Sequence, residues 1–216
     1  MGTAKGDWCQ YVAKDVDKII AGLYEYWACY HPIFPEKTVF CPFPIIPSHT
    51  TYRPFDGKLH LFIGINKMRN RYKGTDIMLK AAQKIVENYP EKADLQVAES
   101  VPFEDYVKMM GKSDVILDQL YSYTPSMNPL EAMNQGLICV GGGEPENYDA
   151  INEHELRPII NVELNESSVY QALYELILHP ERINTLKRES MAYIKRHHDY
   201  INVAQKYIAF YEQLDH

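Results

Sequence analysis

Leu59-His-Leu-Phe-Ile63 runs directly into Gly64-Ile-Asn-Lys67-Met-Arg69-Asn-Arg71-Tyr-Lys73-Gly74-Thr-Asp76. The first five residues form a short, mostly apolar run that suits a strand buried on both faces. From Asp76 to Tyr89 the period changes. Met78, Ala81, Ala82, Ile85 and Tyr89 then fall on one face of a helix. A buried strand followed by an amphipathic helix opens a βαβ unit, whose strands run parallel.

The same rhythm continues outward from this stretch. Strands are predicted at Asp94–Ala98, Asp114–Asp118, Leu137–Val140 and Pro158–Asn161. Helices are predicted at Phe103–Met110, from Pro129 to Gln135, and at Ser168–Leu178. Proline is tolerated in a first helical turn. Two more helices close the chain, the last with an apolar stripe of Ala204, Tyr207, Ile208 and Tyr211. Short apolar strands alternating with helices predict an α/β fold, a doubly wound parallel sheet covered on both faces, over residues 57–216.

Residues 1–56 read differently. Val12, Val16, Ile19, Ile20 and Leu23 have helical spacing within an apolar stretch from Trp8 to Tyr30. Lys37–Cys41 is a short β-like run. Prolines at 42, 44, 47 and 54 forbid regular structure and mark a linker. One helix and one strand cannot make a domain. They read as the tail of a domain whose start is missing. The helix predicted over residues 10–30 lacks native partners, so it is expected to pack on a neighbouring chain or on the C-terminal helices.

Composition bounds the function. The 216 residues carry 22 Lys plus Arg against 29 Asp plus Glu, a net charge of −7, and 46% are hydrophobic. That excludes disorder, and the acidity argues against nucleic acid or an anionic membrane as a charge-driven partner. No apolar run approaches the roughly 20 residues of a membrane span, and the N-terminus shows no apolar signal core. Cys9, Cys29, Cys41 and Cys139 have no zinc-site spacing. They read as reduced, mostly buried thiols in a cytoplasmic protein. No His or acidic motif argues for a metal. His60 reads as packed within its strand, and His197 and His198 as caps on a helix C-terminus.

In doubly wound sheets ligands sit at the C-terminal ends of strands. Three loops leave such ends. The first holds four cations, Lys67, Arg69, Arg71 and Lys73, just before a helix N-terminus. Cations and free N–H groups together suit a phosphate or diphosphate, and Gly74 permits close backbone approach. The second follows Asp118 and leads through Ser126, Met127 and Asn128 to Leu130-Glu131-Ala132-Met133. Ser126 or Asn128 is a candidate N-cap. Glu131 then falls in the first turn, where it complements the helix dipole or accepts hydrogen bonds from a sugar diol. The third is Gly141-Gly-Gly-Glu144-Pro-Glu146. It lacks the dinucleotide fingerprint and reads as a tight turn or a close approach to a ligand.

Taken together, the strand, the Lys73-Gly74 loop, Ser113-Asp114-Val-Ile-Leu-Asp118, Leu130-Glu131-Ala132-Met133-x-x-Gly136, the glycine loop with Glu146 and His179-Pro180-Glu181-Arg182 resemble one family. It is the group 1 (family 4-like) glycosyltransferases, whose two Rossmann-like domains form the GT-B architecture. The resemblance covers residues 57–216 as the C-terminal, donor-binding domain. Residues 1–56 then resemble the end of the acceptor domain plus the interdomain linker. It implies hexosyl transfer from a nucleotide-diphosphate sugar, with retention and without a bound metal as is usual in the family. The acceptor, a sugar or glycolipid, would be held mainly by the missing N-terminal domain. The setting would be cytoplasmic polysaccharide synthesis, with a peripheral place at the inner membrane open for the full-length protein.

Site roles follow from the same resemblance. Lys73 would hold the diphosphate, with Arg71 or Lys67 as its partner. Amides from Ser126 through Met127 to Asn128 would meet phosphate, Glu131 the ribose hydroxyls, and the turn at Val101 the base. The family places an acid eight residues before Glu131, and here that position is Tyr123. A subgroup with Asp-Gln in this strand resembles Asp118-Gln119, which implies that Asp118 supplies the carboxylate. The alternative is a non-catalytic relative that binds a nucleotide or a partner protein. A receiver-like domain, which needs an acidic pair after the first strand, is disfavoured by Asn66-Lys67.

Overall fold

A computed structural model describes residues 4–66, 68 and 70–214. In chain order the elements are α1 (Ala4–Asp15), β1 (Ile19–Ala21), α2 (Tyr24–Tyr30), β2 (Thr38–Phe40), β3 (Leu59–Ile65), α3 (Asn70–Lys73), α4 (Thr75–Asn88), β4 (Ala93–Glu99) and α5 (Phe103–Met110). They continue with β5 (Val115–Leu117), α6 (Met127–Asn134), β6 (Ile138–Val140), α7 (Pro145–Ala150), α8 (Glu166–Leu178), α9 (Ile183–Tyr193) and α10 (Tyr200–Glu212). A π-helical turn, Ile194–His198, joins the last two.

Four parallel strands form the main sheet in the order β4-β3-β5-β6. Alternation sorts their side chains onto two covered faces. Leu59, Leu61, Ile63, Val115, Leu117, Ile138 and Val140 pack with Met78, Ala81 and Ile85 of α4 and with Val169, Leu173 and Leu176 of α8. Phe62, Ile116 and Cys139 pack with Met110 of α5, Leu130 and Met133 of α6, and Tyr193 of α9. The expected doubly wound α/β fold is therefore present.

The order of the strands locates the crevice. From β3 the chain moves outward to β4, then returns across β3 to β5. That reversal is the topological switch point, and ligands of open α/β sheets bind beyond the strand ends that flank it. Ile63 of β3 lies opposite Leu117 of β5, so the loops carrying Lys73 and Asp118 leave the sheet side by side.

Four local expectations are corrected. The stretch from Trp8 to Tyr30 is not one helix. Ile19 and Ile20 are β-branched and pair in parallel with Thr38 and Val39 instead. Gly22 ends that strand where a Cβ would lie 2.7 Å from the Phe43 ring. The predicted strand at Pro158–Asn161 shrinks to a single bridge between Ile160 and Val140. The stripe on α10 is not core, since Ile208 and Tyr211 are 56% and 59% exposed and the helix buries Val203. Of the cysteines, Cys41 and Cys139 are buried and Cys29 is exposed.

The proline-rich segment is strapped to the sheet rather than loose. Ile45 N–H donates to the His198 carbonyl, and Tyr200 N–H donates to the Ile45 carbonyl. Asn134 of α6 grips the backbone at both Ile46 and Ser48. Below the sheet, Arg53 pairs with Asp114 at 2.9 Å, and Lys187 donates to Asp114 and to the Arg53 carbonyl. His60 is a packing residue as read, set between Asp94 and Asp56.

Candidate functional site

The first crevice loop ends in the short helix α3. Lys73, half-buried, is its last residue, and its carbonyl accepts a 2.7 Å hydrogen bond from Leu120 N–H. The β3 loop and the β5 loop are thereby fastened together. Gly74 follows with φ +68°, and a Cβ there would lie 2.7 Å from the Leu120 Cβ. Glycine is needed here for contact between loops as well as for the left-handed turn. Gly141 and Gly142 act alike. Added Cβ atoms would meet the Gln119 carbonyl at 2.9 Å and the Thr124 backbone at 3.3 Å. Of the two readings of the glycine loop, tight packing is the one these contacts describe.

Asp118 follows β5 and is buried. Its Oδ1 lies 3.5 Å from Asn128 Nδ2, and Oδ2 has no hydrogen-bond partner. Burial raises its pKa, and the positive charge of Lys73 pulls against that rise. Asn128 in turn accepts a 2.8 Å bond from the Tyr106 hydroxyl. Ser126 is the N-cap of α6, but its side chain does not cap the helix. The N-terminus of α6 thus keeps its partial positive charge beside Lys73 and Asp118. Lys73, Asp118, Ser126 and Asn128 are brought together. Arg71 and Met127 are exposed at the rim, and Lys67 lies outside the described residues.

Glu131 and Val101 stand apart. With Ser126 as N-cap, Glu131 falls in the second turn, so the first-turn dipole argument does not apply to it. Its carboxylate accepts from Gln135 Nε2 at 3.1 Å and Asn134 Nδ2 at 3.4 Å. It borders a wide hollow of about 720 Å³ with the strap residues Ser48 to Arg53 and with Val107 and Gly111. Val101 packs against the second core face and lines neither this hollow nor the Lys73 one.

The residue that sequence reading missed is Glu25 of α2. Its carboxylate accepts hydrogen bonds from the Ser122 hydroxyl, Tyr123 N–H (2.6 Å), Thr124 N–H (3.3 Å) and the Thr124 hydroxyl (2.6 Å). Burial pushes its pKa upward, but the Ser122 and Thr124 hydrogen bonds outweigh it and hold the carboxyl below its ordinary value. Glu25, Lys73, Ser122 and Ser126 border one hollow of about 340 Å³. The Tyr123 ring lies tilted against Tyr24, with centroids 5.6 Å apart. No local signal marks Glu25, because its partners are 97 to 99 residues away.

The segment predicted over 10–30 thus has a partner within the chain. α2 packs on α7 and on the 122–124 loop. The C-terminal histidines are not helix caps. His197 bonds to Glu153, and buried His198 donates from Nδ1 to the Phe43 carbonyl while its Nε2 has no hydrogen-bond partner among the described residues.

The fold is that of the C-terminal, Rossmann-like domain of GT-B glycosyltransferases. Similar solved structures include a glycosyltransferase from Rickettsia africae, at 12% identity and TM-score 0.65, matching 99% of this chain and 68% of that one. Sucrose-phosphate synthase from Thermosynechococcus elongatus matches at 13% identity and TM-score 0.69, over 95% of this chain and 60% of that one. Anabaena HepE, solved with UDP and glucose, matches at 14% identity and TM-score 0.67, over 94% of this chain and 65% of that one. The chain thus spans 60% to 68% of the length of these three proteins. No protein-family model matches the sequence. No curated protein matches it either. Among the described residues no helix is long and apolar enough to cross a membrane.

Proposed function

We propose that residues 57–216 are the donor-binding domain of a glycosyltransferase that transfers a hexosyl group from a nucleotide-diphosphate sugar. Residues 1–56 are the end of its acceptor domain and the linker. The observation that carries this reading is Lys73 beside the uncapped N-terminus of α6, at the switch point between β3 and β5. A cation and a helix N-terminus facing one crevice suit a diphosphate. As the glycosidic bond breaks, negative charge grows on the leaving diphosphate, and Lys73, Arg71 and the α6 amides stabilise it without a metal. Asp118, buried within reach of the Lys73 charge, is our candidate for the carboxylate that position 123 lacks. Transfer with retention, and a saccharide or glycolipid acceptor, complete the proposal.

Calorimetric titration with UDP, GDP and ADP, without metal, tests it. HepE was solved with UDP, which makes UDP the first ligand to try. One diphosphate is expected to bind, and Lys73→Ala to weaken it more than tenfold, about 1.4 kcal/mol. Unchanged affinity in Lys73→Ala would remove Lys73 from the site. The second reading, a non-catalytic relative, is favoured by Tyr123 and by Glu25 filling the Tyr123 and Thr124 amides. Turnover of any nucleotide sugar by the full-length protein would eliminate it.

A further inference from the structure

The crevice continues past Tyr123. Tyr121 and Ser122 border both the Lys73 hollow and a second one that reaches Glu146. Glu146 also borders a third, a cavity of about 400 Å³ between α2 and α7. Tyr24, Trp27 and Phe40 form one wall of that cavity, and Glu146, Asp149 and Ala150 the other. The three hollows are neighbours, the first two meeting at Tyr121 and Ser122 and the last two at Glu146. The aromatic wall is braced. Tyr24 leans on Trp27 at 5.8 Å, and Trp27 stacks on His31 at 4.2 Å. Neither Glu146 nor Asp149 has a side-chain hydrogen bond or ion pair among the described residues. Among the described residues no cation lines the cavity.

We propose that this cavity is a saccharide subsite that holds the sugar ring of the acceptor, a proposal that rests on the glycosyltransferase reading above. A pyranose has an apolar C–H face and a rim of hydroxyls. Its C–H face matches the electron-rich face of Tyr24 or Trp27. Its hydroxyls donate charge-assisted bonds to Glu146 and Asp149, which lack other partners. The volume lies within the range of small-molecule sites. A phosphate or carboxylate ligand would meet two negative charges and no cation. An apolar peptide would bury both carboxylates unpaired, which is costly. The position suits an acceptor, because the hollow bordered by Tyr123 lies between this cavity and the Lys73 hollow and shares lining residues with both.

The chain has two tryptophans, so Trp8→Phe leaves Trp27 as the only indole reporter. This variant would be titrated with maltose and N-acetylglucosamine, with choline as the cationic control, and with UDP by calorimetry in parallel. A saturable change in Trp27 emission with a neutral saccharide, at roughly millimolar affinity, is expected. Glu146→Gln with Asp149→Asn, near-isosteric changes, should weaken it at least tenfold and leave UDP affinity unchanged. The subsite is overturned if neither saccharide binds, if binding survives the double variant, or if choline alone is bound. Loss of UDP binding by the parent chain would count against the donor site instead, and the saccharide titration would still be read on its own.

Discussion

The carboxylate of Glu25 sits 2.6 Å from the backbone nitrogen of Tyr123, joining a helix near the N-terminus to the loop after β5. Four donors converge on it from Ser122, Tyr123 and Thr124. A half-buried carboxylate with this many charge-assisted bonds is stabilising, and removing it leaves two backbone N–H groups without a partner.

Glu25→Ala is therefore expected to cost about 1–3 kcal/mol in urea unfolding. It should also speed hydrogen exchange at the Tyr123 and Thr124 amides more than elsewhere. The folded pKa of Glu25 is depressed, so its contribution is present above the ordinary value of 4.5 and fades as pH falls below it. Equal exchange rates in wild type and variant would refute the latch.

His198 gives a second pH dependence, in a higher window. Burial lowers its pKa from 6.5 to about 4; the hydrogen bond to the Phe43 carbonyl opposes the fall, and the nearby charges of His197 and Lys206 add to it. The unfolded chain therefore binds a proton between those values that the folded chain does not. Stability should be full above about pH 6.5 and fall by roughly 2–4 kcal/mol by pH 4. His198→Phe is expected to flatten the slope of stability against pH between those limits, even where it lowers the plateau.

Asp114 and Lys187 are both nearly inaccessible and paired, with Arg53 as the second cation on Asp114. Lys187→Met should cost about 3–5 kcal/mol, because it strands part of a buried charge. Adding Asp114→Leu to it should recover much of that loss. A double variant less stable than Lys187→Met alone would contradict this account.

Gly74→Ala places a side chain at φ +68° and against Leu120. The left-handed backbone alone costs about 1–2 kcal/mol. Because Leu120 N–H is bonded to the Lys73 carbonyl, the variant should also weaken nucleotide binding by displacing Lys73. Calorimetry on a variant that still melts cooperatively separates the two effects.

The parallel sheet was legible because β3, β5 and β6 are short runs of buried apolar residues set between helices with an apolar face. Boundaries moved by at most two residues, as at Met127, where the uncapped start of α6 lies two residues before Pro129. The Lys73 loop was legible because its cations and Gly74 are contiguous in sequence. Ile19–Ala21 was misread since three apolar residues fit a helical stripe as well as a strand, and only pairing with Thr38–Phe40 decides between them. Glu131 was legible as a helical residue but not in its direction, which depends on Gln135, Asn134 and the strap. Glu25 was invisible for a different reason. A bond across 97 residues leaves no trace in local pattern.

The strap from Ile45 to Arg53 has a consequence for that bond. It fixes one end of the N-terminal segment to the sheet through His198, Asn134 and Asp114. Glu25 is thereby tethered near its own receptor even when the hydrogen bonds open. Tethering makes closure unimolecular, with an effective concentration at least in the millimolar range of a short flexible linker. Dissolved acetate or formate has no such tether and must reach that concentration before it can compete for the Ser122–Thr124 donors.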